Sequence, residues 1–131
     1  MNNTKYEKLH AVLIDGIKAS VVAINKNSRL HTHLRHLIVM HNLMRICILT
    51  YELGDNELKD SQEVLHRTIL AIKNRKPRTY TTQDKIVISL ALSQYENLIH
   101  SCDDVQLLGL TTQLEKWAGM GIVEYATRER I

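Results

Sequence analysis

The chain has 131 residues, 44% of them apolar and 24% charged, with a formal net charge of +3. A chain of that length buries roughly two-thirds of its unfolded surface in one core and needs no disulfide or metal to hold it. With no Phe, one Pro and five Gly, the core has to be aliphatic, and a turn-rich β-sandwich is excluded in favour of a few long helices.

The first helix is expected from about Lys5 to Ile24, where Leu9, Leu13, Ile17, Val21 and Ile24 recur at three- and four-residue steps. Thr4, with Glu7 three residues on, reads as its capping box. After an Asn-Lys-Asn-Ser connector, Ser28 is the expected cap of a second helix from Arg29 to Leu53, with Gly54 as its C-terminal stop. This helix is apolar on more than one side, so it should lie at the centre of the fold or in a homodimer interface.

Asp55 or Asn56 caps a third helix reaching Ile72, with the stripe Leu58, Leu65, Ile69 and Ile72. Acidic residues crowd its first turns, where the helix dipole favours them. The connector Lys73-Asn74-Arg75-Lys76-Pro77-Arg78 follows, and Pro77 forces the chain out of helix. Thr81 or Thr82 caps a fourth helix, Gln83 to His100, which carries Ile86, Ile88, Leu90, Leu92, Tyr95 and Ile99. Asp103 or Asp104 opens a fifth, with Leu107, Leu110, Leu114 and Trp117 in phase and Gly119 and Gly121 at its end. Residues 122–131 read as a flexible tail. The expected architecture is all-α, about five helices in one bundle spanning residues 1–131, with helix 29–53 central.

Cys47 and Cys102 both fall in apolar helical stretches, the usual place for reduced cysteine used as a small hydrophobe. No apolar run approaches the ~18 residues of a membrane span, and the first residues lack a signal-peptide core. The expected location is the cytoplasm.

Three features invite chemistry. His31, His33, His36 and His41 lie within eleven residues, yet none is spaced by the four that put a zinc pair on one helical face, and no acid or cysteine stands by to complete a ligand set. They read as solvated or capping histidines, with His41 buried and hydrogen-bonded. The basic connector concentrates cations of the kind that meet phosphate or an acidic protein patch, and Arg35 and Arg45 sit in a stretch free of acids from Lys26 to Tyr51. A helix-turn-helix does not fit: one junction is too long and contains Pro77, and the other leads into an acidic helix. Finally, no phosphate loop or nucleophile elbow is present, and Asp103 and Asp104 beside Cys102 disfavour a thiolate. The chain is expected to be no enzyme and to use no cofactor or metal.

The order of segments resembles small all-helical accessory proteins of phages, plasmids and integrated elements. It runs from HLRHLIVMHNLMRI through ELGDNE, AIKNRKPRTYT and QDKIVISLALSQYENLI to DDVQLLGL, across roughly residues 30–115. The resemblance implies an accessory role and transfers no site residue. The expectation is a non-enzymatic protein that binds and modulates another protein as inhibitor or adaptor, with Arg75, Lys76, Arg78, Arg35, His33 and His36 as contact residues. The alternative is a dimeric nucleic-acid-binding transcriptional regulator using the same cations.

Overall fold

The computed structural model describes residues 3–27, 31–76 and 79–118. Five α-helices carry this part of the chain: α1 (Asn3–Lys26), α2 (Leu34–Leu49), α3 (Asn56–Asn74), α4 (Thr82–His100) and α5 (Asp104–Ala118). A short 3-10 turn, His31–His33, precedes α2. The architecture is the expected all-α bundle, and no described helix is long and apolar enough to cross a membrane.

Local chemistry sets several helix ends where the sequence places them. Asp55 caps α3, its carboxylate accepting from the Leu58 N–H at 2.9 Å. Thr81 and Asp84 form a reciprocal capping box at the start of α4. Asp103 and Gln106 exchange the same kind of pair at the start of α5, at 2.8 and 3.0 Å.

Other boundaries move. Helix α1 already runs at Asn3, which leaves Thr4 inside it rather than at its cap. The second helix ends at Leu49, short of Gly54. Its last carbonyls are satisfied by the chain folding back: Thr50 and Tyr51 donate to the Ile46 carbonyl, and Leu53 donates to that of Cys47. The residue that turns the chain is Glu52 at φ 53°, and Gly54 follows at φ 89°. Gly54 therefore shapes the connector and does not end the helix. Ser28, Arg29, Pro77, Arg78, Gly119, Gly121 and the expected tail 122–131 lie outside the described residues, as does the side chain of Trp117.

Pairwise contacts fix how the helices run. Helix α1 is antiparallel to α4: His10 meets His100, the Tyr95 hydroxyl donates to the Leu13 carbonyl at 2.7 Å, Lys18 pairs with Glu96, and Asn25 reaches Ser89. Helices α2 and α3 form an antiparallel hairpin, with His41 against Gln62 and His66. Arg75 and Asp84 close the antiparallel turn from α3 to α4. Helix α5 packs on α1 and touches α2, and its Gly109 lies against Tyr51 of the connector that follows α2.

Helix α2 is the centre. Leu37, Ile38, Val39, Met40, Leu43, Met44 and Cys47 are all buried by α1, α3, α4 and α5 of the same chain. Most of its apolar surface is thus covered without a second copy, and Leu49 at its end is left 65% exposed. Helix α4 is apolar on two sides, of which one is covered: Ile88, Tyr95 and Ile99 enter the core, whereas Ile86 and Leu90 stand 56% and 57% exposed on its outer face. They sit roughly half a turn away from the buried stripe, where no further helix among the described residues covers them.

Candidate interaction surface

The antiparallel packing brings the end of α1, the start of α2, the end of α3 and the start of α4 to one end of the bundle. Five of the six sequence-predicted contact residues are described and gather here, and three of them, His33, His36 and Arg75, are used within the fold. The Nδ1 atoms of His33 and His36 both engage the Ser20 hydroxyl of α1, His33 at 2.9 Å. A hydroxyl donates once and accepts more than once, so one buried group (Ser20 is 2% exposed) ties both imidazoles to α1. Burial holds the His36 imidazole below its usual titration range, and His33 and Arg35 add to the shift because a second positive charge there is opposed. These two histidines dock the start of α2 onto α1.

Arg75 is also committed. Its guanidinium donates to the Asp84 carboxylate at 2.6 Å and to the Thr79 carbonyl, while Asp84 itself is buried. The pair seals the α3–α4 connector, an internal role the connector's cationic composition does not reveal. Arg35 is half-buried and Lys76 is exposed at the same end. Arg78 lies outside the described residues.

A second surface was not legible in the sequence. The α2–α3 hairpin opens into a cleft of about 320 Å³ lined by Arg45, Ile48 and Leu49 from α2 and Gln62, Glu63, His66 and Arg67 from α3. It continues into an adjoining space of about 570 Å³ toward the connector, bordered by Glu52, Leu53, Lys59 and Asp60. Leu49 lines both parts and is 65% exposed. On α3 the lining residues recur at three- and four-residue steps, which marks one helical face. That spacing was visible, but which helix lay opposite was not.

Beneath the cleft lies a buried polar relay. His41 is fully buried, and its Nδ1–H donates to the Asn42 Oδ1 at 2.9 Å. Its Nε2 therefore accepts, taking the Gln62 Nε2–H at 2.6 Å. Burial drives the His41 pKa down to about 4; the Asn42 bond opposes this, while His66 and Arg45 push it lower. The neutral imidazole fixes the Gln62 amide, so that its carbonyl oxygen is the group left for the cleft.

Cys47 and Cys102 meet in the core, although 55 positions separate them. Their thiols are hydrogen-bonded to each other, and this contact together with burial pushes the Cys47 thiol far above its usual range. Cys102 also donates to the Leu98 carbonyl. Among the described residues no three His, Cys, Asp or Glu side chains converge to hold a metal ion. No family model matches the chain, and neither the curated proteins nor the solved structures contain a match to it.

Proposed function

We propose that this is a non-enzymatic accessory protein of a mobile element that works in the cytoplasm by binding another protein, as inhibitor or adaptor. The observation that carries the reading is the α2–α3 cleft, an open groove where charged side chains of both signs flank an exposed leucine. Mixed clefts with an apolar centre and a polar rim suit a protein segment better than a metabolite that must be enclosed. The ionisable groups that could otherwise suggest catalysis are engaged inside the fold: His41 with Asn42 and Gln62, Cys47 with Cys102, Arg75 with Asp84.

The second reading is a dimeric nucleic-acid-binding regulator. It draws on the gathering of Lys26, Lys73 and Lys76 at one end of the bundle. The loss of Arg75 to Asp84 weakens it, because that guanidinium is no longer available to phosphate. A homodimer, in either reading, has to use a face left open, such as that of Ile86 and Leu90 or the Leu49 edge of α2, since the rest of α2's apolar surface is covered.

The test is capture of partners by the tagged protein from a lysate of its source cell, with and without nuclease, followed by salt titration. A discrete protein retained after nuclease and through the salt titration supports the protein-binding reading. Bound nucleic acid whose affinity falls steeply with salt replaces it with the second reading.

A further inference from the structure

The cleft is polarised along its length, and that polarity specifies a ligand. This inference rests on the protein-binding reading and names the partner's chemistry. At one end stand Arg45 of α2 and Arg67 of α3, with the His66 ring between the helices. At the other end stand Glu52 and Asp60. Leu49, exposed, lies between them, with Leu53 beyond it. On the α3 wall Arg67 and Asp60 are seven helical residues apart, a rise of about 10 Å. On the other wall Arg45 belongs to α2, and Glu52 lies in the connector beyond the helix end at Leu49. The two walls run antiparallel, so both place cation and anion in the same sense: positive at the His66 end, negative at the connector end.

The remaining charges do not cancel the pattern. Glu63 borders both parts of the cleft and Lys59 borders the connector end, which leaves two Arg against one acid at the His66 end and three acids against one Lys at the connector end. Helix α2 contributes no acid at all from Leu34 to Leu49. The field at the floor of the positive end is felt by the buried His41, whose protonation is opposed by Arg45 and His66.

We propose that the α2–α3 groove binds a helical segment of a partner protein that presents an acidic residue, then an apolar residue, then a basic residue, at i, i+4 and i+7. The acid sits between Arg45 and Arg67, within reach of the His66 ring; the apolar side chain covers Leu49; the base meets Glu52 and Asp60. A third helix laid along a helix pair is the packing such a groove accommodates, and i, i+4, i+7 anchors are how an amphipathic helix reads one. A helix that carries two acids or two bases at the outer positions brings like charges together at one end. The groove thereby selects a charge pattern and sets the direction in which that helix lies, the usual contribution of charge complementarity at an interface.

The experiment uses two fluorescein-labelled, alanine-based helical peptides of equal length. One carries Glu, Leu and Arg at i, i+4 and i+7; the other keeps Leu and has Gln in place of both Glu and Arg. Binding of each to the full-length protein is followed by anisotropy at low salt. The expected result is a preference of roughly tenfold for the charged peptide over the neutral one, the scale of a pair of partly exposed charge contacts. Arg45→Glu with Arg67→Glu, both exposed positions, should abolish that preference while leaving the far-ultraviolet circular dichroism spectrum unchanged. If neither peptide binds, if both bind alike, or if the preference survives the double substitution, the groove assignment is overturned. The capture experiment then still decides the protein-binding reading by itself, because it asks for a partner without prescribing where that partner docks.

Discussion

Acidification should destabilise this protein through His41. In the unfolded chain its imidazole protonates near the usual 6.5; in the fold burial lowers that to about 4. The sign follows from proton uptake. Above pH 6.5 neither form is charged, and the contribution to stability is fully present. Below it the unfolded chain binds a proton that the folded chain refuses, so stability falls steadily until pH reaches about 4. A gap of about 2.5 units corresponds to about 3 kcal/mol in full, of which about 2 kcal/mol is lost by pH 5. His36, shifted in the same direction, adds to the loss. Urea unfolding followed by circular dichroism at about pH 7.5 and pH 5 measures it. The control is His41→Gln, which removes the titrating group. That variant should start less stable, by roughly 1–3 kcal/mol, because it disturbs the bonds to Asn42 and Gln62. It should then lose about 2 kcal/mol less than the parent on acidification. If parent and variant lose the same amount, the reasoning is refuted and the acid sensitivity has another source.

Three further outcomes test other parts of the structure. Arg75→Ala should cost about 2 kcal/mol in urea unfolding, because it leaves the buried Asp84 carboxylate without its cation; an unchanged midpoint would mean that Arg75 is a surface residue after all. Gly54→Ala should cost about 1–2 kcal/mol, since an added Cβ meets the Leu58 side chain and the position has φ 89°; an equal or higher thermal midpoint would contradict that geometry. Both thiols should resist a maleimide in the native protein and react as the chain unfolds, given that Cys47 is 0% and Cys102 3% exposed; prompt native labelling of either would show that the α2–α5 side of the core opens.

Much of the fold was legible because it is local. The stripe Leu58, Leu65, Ile69 and Ile72 is buried as its spacing requires, and Asp55 and Thr81 cap the helices they precede. These depend on residues within a turn or two of one another, where periodicity and capping act directly. The end of α2 was misread for a related reason. A glycine after an apolar run is the commonest helix stop, but here Glu52 takes the left-handed conformation first, and the fold-back bond from Leu53 to Cys47 holds it there.

The sequence by itself determined the class, the helices and which face of most of them is buried. Only the tertiary structure decided what each face meets. Ser20 draws His33 and His36 together, Asp84 takes Arg75 out of the basic connector, and Cys47 finds Cys102. The groove exists because α2 and α3 pack antiparallel with Arg45 opposite Arg67 and Leu49 left outside. The physical reason is that burying an apolar stripe is non-directional. A helix's own sequence states how much surface it must hide, whereas the choice of neighbour, and so every pairing between polar side chains on different helices, is settled by how all five pack together.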